Sequence, residues 1–373
     1  MKPVYIVSWL FALAISFVSC DDWLDKTPKD RLYPDVYFKT EDELRLFTNQ
    51  FYNNLVPSAV DIYSESSDLI VKSDLMLEMS GQRIIPDEGN GWNFTALRDI
   101  NFYLQYSHNC TEVNARNRYD GVARFFRAYF YFEKVKRYGD IPWYDKALDS
   151  DDPELYKARD SREFVMQKML EDLDFAIANL PKTKNAYVLT RWTALALKSR
   201  VCLFEGTFRK YHGLEDCEKY LNACVSASET FMNESGYTLY KSGSTPYRDL
   251  FASINLQADE VIFGRDYEAS LSVLHNVQNY ETSTTMGRPG MNKKIVNSYL
   301  MADGSRFTDK AGYETMTFDQ ECQNRDPRLA QTIRTPGYTR IGSTKKEAPN
   351  LAYTMTGYHL IKYSMTANYD EYN

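Results

Sequence analysis

The stretch Tyr119–Tyr144 reads YDGVARFFRAYFYFEKVKRYGDIPWY, and six of the eight residues at positions 125–132 are aromatic. No other part of the chain is so dense in aromatic side chains. Two sets of apolar residues recur at three- and four-residue steps and therefore share helical faces: Val122, Phe125, Tyr129 and Phe132 on one face, and Ala123, Phe126 and Phe130 on another. A helix that is apolar on two faces needs neighbours on most sides, which predicts a helical core built around this stretch.

The end of this helix is marked by charge and by helix-breaking residues. Lys134, Lys136 and Arg137 place positive charge in the last turns, where the helix dipole is negative. Gly139 can adopt the left-handed conformation that closes many helices, and Pro142 prevents the helix from resuming. The sequence therefore predicts that the helix ends close to Gly139.

Apolar periodicity and capping residues predict five more helices, at positions 40–57, 95–117, 161–181, 190–206 and 215–233. The first begins with a capping box formed by Thr40 and Glu43, and the fourth ends at Gly206. Residues 119–233 then form four helices in two antiparallel hairpins. These hairpins are similar to tetratricopeptide-type repeats, although they lack that repeat's regular ~34-residue period. Stacked helix pairs of this kind cover one another's apolar faces.

Two parts of the chain lack regular periodicity. Residues 58–93 carry several glycines, prolines and aspartates, which predicts a long loop with one short helix near positions 69–79. Beyond Gly236 the sequence predicts loops with short helices and strands, including an extended segment at 260–264 and a short helix at 293–301. Long irregular stretches inside a compact domain are more often functional than idle, so we expect binding residues in these regions.

Composition argues against several classes of function. The net charge is −7 and the 44 basic residues are scattered, so a nucleic-acid partner has no electrostatic support. The four histidines and the cysteines show no metal-ligand spacing, and hydrolase and phosphate-loop motifs are absent from the sequence. We therefore expect no metal, no cofactor and no enzyme activity. The 29 tyrosines suit binding surfaces that are half exposed to water.

The N-terminus has the form of a signal peptide. An apolar run at positions 4–18 is too short for a comfortable transmembrane helix, which needs about 20 residues. The run ends just before Cys20 in a sequence that resembles a bacterial lipobox, with Phe17 where leucine is usual. An ordinary secretory cleavage site at positions 12–14 is the alternative. Because the lipobox accounts for both the length of the run and the position of the cysteine, we predict a signal peptide at 1–19 and a lipid anchor on Cys20.

The motifs of the chain, taken in order, resemble the SusD/RagB family of nutrient-binding outer-membrane lipoproteins. The first is the aromatic helix with the YGDIP sequence that follows it, at 124–142. The later matches are EDLD at 171–174, ALALKSRV at 194–201, DEVIF at 259–263, VNSYLMADG at 296–304, NRDPRL at 324–329, TGY at 356–358 and KY at 362–363. Each motif is weak by itself, but their number and order make the resemblance specific.

The resemblance implies a mainly α fold of tetratricopeptide-like helix pairs in a right-handed superhelix, with a loop-rich second half of short helices and strands. It divides the mature chain into a helical-repeat region at 20–235 and a C-terminal region at 236–373. It also implies a lipid-anchored protein on the surface of an outer membrane, which captures a glycan or peptide fragment and passes it to a SusC-like TonB-dependent transporter. Family members continue into further helices, so we expect this chain to be truncated relative to them.

Loop aromatic residues are the candidates for glycan binding, because a flat ring can stack on a sugar while nearby side chains bond its hydroxyls. Trp92 is the first candidate, with Arg83 and Asn93 as polar neighbours. Tyr280 and Arg288 are added from the loop region that family members often use. The competing interpretations are that Trp92 packs on the helix after it and that the other two lie in an ordinary surface loop. Aromatic residues on or beside helical stripes are expected in the core instead: Trp143, Trp192 and the stretch 125–132.

Two other functions are compatible with the sequence. The first is a secreted glycoside hydrolase, whose two catalytic carboxylates would be defined by their separation in space. The second is a helical-repeat protein that docks only other proteins. Release of reducing sugar would favour the hydrolase, and capture of a transporter without any glycan affinity would favour the docking protein.

Overall fold

The computed structural model describes residues 37–364, apart from positions 58–68, 75, 87, 88, 90, 274, 276 and 278. The predicted signal peptide and Cys20 lie outside the described residues. The helices of the first half are α1 (Glu41–Leu55), α2 (Leu77–Ser80), α3 (Thr95–Tyr106), α4 (Val113–Tyr138), α5 (Arg162–Asn179), α6 (Arg191–Tyr211) and α7 (Cys217–Glu234). Those of the second half are α8 (Pro246–Phe251), α9 (Asn279–Thr282), α10 (Lys293–Ser298) and α11 (Phe318–Glu321). Two short strands, β1 (Ile70–Val71) and β2 (Gly290–Met291), pair antiparallel.

Three predicted helix starts, at Thr40, Ser161 and Thr190, are confirmed by their caps, and the predicted end at Gly139 is confirmed as well. The Thr40 hydroxyl accepts a hydrogen bond from the Glu43 backbone N–H, and the Glu43 carboxylate accepts one from the Thr40 N–H, which completes the capping box. Ser161 and Thr190 cap α5 and α6 in the same way, each accepting from a backbone N–H three residues on. Gly139, which follows α4, has a φ of +71°, a conformation that costs glycine least.

Contacts between the long helices define two stacked antiparallel pairs. Gly121, near the start of α4, faces Leu180 just after α5, so these two helices run in opposite directions. Gly206, late in α6, faces Leu221, early in α7, and the second pair is antiparallel too. The mainly α fold with helix pairs is therefore confirmed. α5 and α6 also pack together, and this contact joins the pairs.

The aromatic stretch forms the inner wall of this stack, as its spacing predicts. Seven of the eight side chains at positions 125–132 are buried, and Tyr129 is partly exposed. Phe126 contacts Phe51 and Tyr52 of α1 edge to face, at ring-centroid distances of 6.2 and 5.0 Å. Helix α4 therefore packs on α1, α3 and α5, which supply the neighbours that an aromatic helix requires.

Two predicted helix boundaries are wrong. The helix predicted at 95–117 is two helices, because the chain turns through a short 3₁₀ segment at Ser107–Asn109 and an extended Cys110 before α4 begins. The Asn109 side-chain amide donates to the Tyr37 carbonyl at 3.1 Å and holds this corner. Gly206 does not end α6, which continues to Tyr211. The glycine instead leaves room for the Leu221 side chain of α7.

Replacing Gly206 by alanine should destabilise the protein by about 1–2 kcal/mol. A β-carbon there would lie 2.8 Å from the Leu221 side chain and 3.1 Å from its backbone nitrogen, so α7 would have to shift. Overpacking of this kind costs about 1–3 kcal/mol, and alanine recovers part of it through its better helix propensity. Urea unfolding measures the effect. Lys210→Ala, at an exposed position of the same helix, is the control and should change stability by less than about 0.5 kcal/mol.

The second half has its own small apolar cluster among loops and short helices. Its buried members are Val277, Met291, Val296, Leu329, Ile333, Tyr358 and Leu360. Ile70 of β1 packs against this cluster, so part of the irregular stretch before α3 joins the second half. The segment 260–264 forms no strand in the described chain, and the Gly264 N–H donates to the Ala186 carbonyl at 2.8 Å instead. Among the described helices, none combines the length and apolarity needed to cross a membrane.

Candidate functional site

A groove opens where the first turns of α3, the segment before α3 and the loop between α4 and α5 meet. Its volume is about 510 Å³, within the roughly 300–1,000 Å³ that small-molecule sites occupy. Its aromatic side chains are Trp92, Phe94 and Tyr144, and its basic side chains are Arg98, Lys146, Lys157 and Arg159. We call it the Trp92 groove. Its described lining contains no aspartate or glutamate.

Trp92 is held in place and still exposed. Its backbone N–H donates to the Gly89 carbonyl at 3.0 Å, in a turn where both Gly89 and Gly91 have positive φ angles. The indole contacts Phe94 and Tyr138 edge to face, with ring centroids 5.3 and 4.9 Å away. Even so, 40% of the residue stays accessible to water. Packing on neighbouring rings fixes the orientation of Trp92, and the exposed part remains open to a ligand.

The Asn93 side chain forms a hydrogen bond with the backbone close to Trp92. Its side-chain oxygen accepts a hydrogen bond from the Thr95 N–H at 2.8 Å and so stabilises the turn into α3. The residue lines a neighbouring depression that it shares with Lys134 and Glu133, and it is not part of the Trp92 groove. Asn93 therefore positions the segment that carries Trp92.

The other predicted binding residues do not line the Trp92 groove. Arg83 lies in the exposed segment 81–86. Tyr280 belongs to α9 in the second half, where only the backbone is described. Arg288 has a φ of +50°, and its guanidinium donates to the Leu351 carbonyl at 2.5 Å. Arg288 therefore contacts its own half of the protein.

Several groove residues were missed by sequence reasoning. The loop at 145–160 is rich in aspartate and glutamate, yet it places Lys146, Lys157 and Arg159 on the groove wall. Arg98 has no local signal, because it lies on an ordinary helix, and its Nε donates to the Leu148 carbonyl 50 residues further on, at 3.3 Å. Only the approach of α3 to this loop brings the basic side chains together.

A buried polar network holds the groove wall against α3 and α4. The Asn101 side-chain amide donates to the carbonyls of Tyr144 and Lys146, at 2.8 and 3.2 Å. The oxygen of Asn101 accepts from Arg127 at 3.2 Å, and Arg127 also donates two hydrogen bonds, of 2.6 and 2.8 Å, to Asp172. Burial by itself would lower the pKa of Arg127, but the hydrogen bonds to Asp172 outweigh it and raise the pKa. The groove wall therefore rests on a charged and fully bonded support.

Aromatic stacking adds to this support. The ring of Trp143 stacks on Tyr131 of α4, with centroids 4.2 Å apart, which confirms that Trp143 packs against the repeat. The Tyr131 hydroxyl accepts a hydrogen bond from the Tyr144 N–H at 2.6 Å, and burial raises the pKa of this hydroxyl. The backbone N–H of Trp143 donates to the Asp160 carboxylate at 2.7 Å. Both ends of the loop are thus fixed before any ligand arrives.

A second cavity, of about 470 Å³, lies between α4, α6 and the segment 260–263. Its walls are mainly apolar, with Phe125, Phe126 and Phe263 among them. A sugar needs polar partners for its hydroxyls, and this cavity offers fewer basic and amide groups than the Trp92 groove. The Trp92 groove is therefore the better candidate for a carbohydrate. The described residues contain no cluster of three or more histidine, cysteine or carboxylate side chains that could hold a metal ion.

Comparison with protein-family models finds two matches in this chain. A model described as "Starch-binding associating with outer membrane" matches residues 80–191, which include the Trp92 groove. A model described as "SusD family" matches residues 250–373. The two matches lie on different halves of the chain and indicate related proteins.

Individual proteins agree with the family models. SusD-like protein P2 of Formosa agariphila is 26% identical over 294 residues, which are 73% of this chain and 55% of that protein. The chain thus spans about half the length of the curated relatives that it matches. A SusD-like protein of Bacteroides fragilis has a similar fold, with a TM-score of 0.70 at 20% identity over 90% of this chain and 70% of the other. A SusD-like carbohydrate binding protein of the same species gives a TM-score of 0.67 at 16% identity, over 87% and 68% of the two chains.

Proposed function

Because this chain belongs to the SusD/RagB family, we propose that it binds an oligosaccharide and delivers it to a SusC-like TonB-dependent transporter. Its relatives support this proposal, since one matching family is described as starch-binding and one protein of similar fold as carbohydrate binding. We further propose that the ligand binds in the Trp92 groove.

The observation that carries the proposal is that Trp92 is fixed in orientation and still exposed. An accessible indole held by two aromatic neighbours can stack on a sugar without losing much side-chain entropy, because its rotamer is already set. Exposed guanidinium groups of Arg98 and Arg159 lie in the same groove, where they can bond hydroxyl groups. Aromatic surfaces combined with convergent polar groups are typical of sites for polar organic ligands.

Replacing Trp92 by alanine should weaken oligosaccharide binding by about 30-fold. Truncating a central aromatic residue in a binding site commonly costs about 2 kcal/mol, which corresponds to this change in Kd. A glycan array identifies an oligosaccharide that binds the unaltered protein, and isothermal titration then compares the variants.

Tyr211→Ala is the matched control for this substitution. Tyr211 is an aromatic residue at the end of α6 with 82% of its surface exposed, and it lies outside the groove. Its replacement should leave the Kd unchanged. Equal affinities of the Trp92→Ala variant and the unaltered protein for a bound glycan would move the site away from this groove.

We propose binding without catalysis. Glycoside hydrolases of the usual kind require two carboxylic acids around the scissile bond, and the described lining of the Trp92 groove supplies neither. The purified protein should release no reducing sugar from an oligosaccharide that it binds. Sustained release above the level of a Trp92→Ala sample prepared in parallel would favour the hydrolase.

The delivery role needs a membrane attachment, which we assign to Cys20. A lipidated cysteine would hold the protein at the outer membrane surface, beside its transporter. The Cys20→Ser variant should lose incorporation of a labelled fatty acid and should leave the outer-membrane fraction. Capture of the SusC-like transporter with the lipidated protein tests the partnership itself. Absence of the transporter from such samples would argue against delivery, even where glycan binding holds.

A further inference from the structure

The Trp92 groove carries an unbalanced charge, although the protein as a whole is acidic. Its lining contains the basic side chains Arg98, Lys146, Lys157 and Arg159, and the described lining contains no carboxylate. The whole chain has a net charge of −7. A cluster of basic groups on an acidic protein is therefore a local feature of this groove, and a neutral sugar does not require it.

Acidic residues just outside the groove compensate two of these four groups. The Lys146 ammonium lies 3.1 Å from a Glu154 carboxylate oxygen and 3.4 Å from one of Asp152. Lys157 lies 2.9 Å from Asp160. These acids belong to the same loop and are not among the residues that line the groove. Lys146 and Lys157 therefore serve mainly to hold the loop together.

The two arginines have no such partner. The Arg98 Nε donates to the Leu148 carbonyl, an uncharged group, at 3.3 Å. Arg159 lies 4.9 Å from the centre of the Trp92 ring, in a cation–π contact. Neither guanidinium has a carboxylate within 4.0 Å among the described residues. Both side chains are exposed, so their remaining N–H groups are open to a ligand.

One further acid lies near Arg98 along the chain. Asp99 is its neighbour on α3, and its side chain lines the depression shared by Asn93 and Lys134 on another side of the helix. The pKa of Asp99 is raised by burial, and the charge of Arg98 opposes that shift. The negative charge of Asp99 therefore reduces the positive electrostatic potential around Arg98, although Asp99 does not line the groove.

We propose that the Trp92 groove selects acidic oligosaccharides, whose carboxylate or sulfate groups bind Arg98 and Arg159 while a neighbouring sugar ring contacts Trp92. This inference rests on the proposed glycan binding and adds the chemical class of the glycan. Guanidinium groups bind planar carboxylates and sulfate esters through paired charge-assisted hydrogen bonds, which neutral hydroxyl groups cannot match. The position of Arg159 on the Trp92 ring brings the charged and the aromatic contacts to the same end of the groove.

The test compares acidic oligosaccharides with an uncharged form of one of them. An oligogalacturonate and its fully methyl-esterified form share the same sugar backbone, and a sulfated galactan oligosaccharide separates sulfate from carboxylate as the recognised group. Isothermal titration at about 20 mM and about 200 mM salt should show tighter binding of an acidic member than of the uncharged form. That preference should fall at the higher salt, because screening shortens the range of exposed charges.

The variants Arg98→Gln and Arg159→Gln assign the preference to these two residues. Each should reduce the ratio of acidic to uncharged affinity by about tenfold, the worth of one charge-assisted hydrogen bond. Arg45→Gln, at an exposed arginine of α1 outside the groove, is the matched control and should leave the ratio unchanged.

The outcomes separate this inference from the proposed function. Equal affinity for the charged and uncharged forms, or an unchanged ratio in both groove variants, would overturn the selection of acidic glycans and leave glycan binding intact. No binding of any oligosaccharide on the glycan array would overturn the proposed function, and the inference with it.

Discussion

Replacing Asp172 by alanine is expected to lower the free energy of unfolding by about 3–5 kcal/mol, because it leaves a buried guanidinium without its counter-charge. Asp172 is 2% exposed and Arg127 is 7% exposed. Arg127 donates hydrogen bonds to both carboxylate oxygens of Asp172, and Arg124 lies 3.6 Å from one of them. Alanine removes the carboxylate that both arginines share, so Arg127 and Arg124 lose this counter-charge at once. Urea unfolding and the thermal midpoint measure the loss.

Asp174→Ala is the matched control on the same helix. Asp174 pairs with Lys198, but its side chain is 57% exposed, and exposed ion pairs contribute about 0–1 kcal/mol. A similar loss of stability in the two variants would show that burial does not determine how much the Arg127–Asp172 ion pair contributes to stability. A second variant with both Arg127→Met and Asp172→Leu should recover part of the loss, because it removes both buried charges together.

The same substitution connects stability to the Trp92 groove. Arg127 holds the side chain of Asn101, which in turn holds the carbonyls of Tyr144 and Lys146 on the groove wall. An Asn101→Ala variant separates the two effects, since it breaks this link and leaves the Arg127–Asp172 pair in place. We expect Asn101→Ala to reduce the free energy of glycan binding by more than it reduces the free energy of unfolding, because the groove wall would lose its fixed position.

Replacing Glu205 by alanine is the second large effect, also of about 3–5 kcal/mol. Glu205 is fully buried in α6 and accepts hydrogen bonds from two arginines. Arg162 of α5 reaches its carboxylate at 2.8 Å through Nε and at 2.7 Å through Nη2, and Arg209 donates from Nε at 2.7 Å. Loss of this carboxylate leaves the largely buried Arg162 guanidinium without its counter-ion, and it leaves Arg209 with Glu163 as its remaining partner.

The test compares Glu205→Ala with Glu229→Ala by urea unfolding. Glu229 lies on the exposed side of α7, and its loss should change stability by less than about 0.5 kcal/mol. Glu205→Gln keeps the shape and removes the charge, so it should fall between the two. A Glu205→Ala variant as stable as the control would mean that Arg162 and Arg209 find other partners, such as Glu163, which already accepts a hydrogen bond from Arg209.

The helical half of the fold could be predicted because its signals are local. Periodic apolar positions select a buried face, and capping residues such as Thr40, Ser161 and Thr190 act on backbone groups three residues away. Gly206 shows where local reasoning fails. Its lack of a side chain suggested a helix end, yet it serves the approach of Leu221 from another helix. The residues next to Gly206 along the chain give no indication of that contact.

The Trp92 groove was predictable only in part. An aromatic residue between glycines in an irregular stretch drew attention to Trp92, and the structure places that residue on a groove wall. Arg83, a predicted neighbour of Trp92, and Arg288, a separate candidate from the second half, lie elsewhere, because closeness in sequence or membership of a loop region does not determine which side chains share a cavity. The basic residues that do share it come from α3 and from a loop about 50 positions later.

The amino-acid sequence by itself determined the aromatic core helix, the helix pairs around it and the resemblance to a nutrient-binding family. Each of these depends on spacing within one segment, or on motifs in a fixed order along the chain. Only the tertiary structure decided that Arg127 pairs with Asp172 and that Arg98 and Arg159 stand at the same groove as Trp92. Those contacts depend on how whole helices pack, and the free energy of that packing is summed over many side chains that no single segment contains.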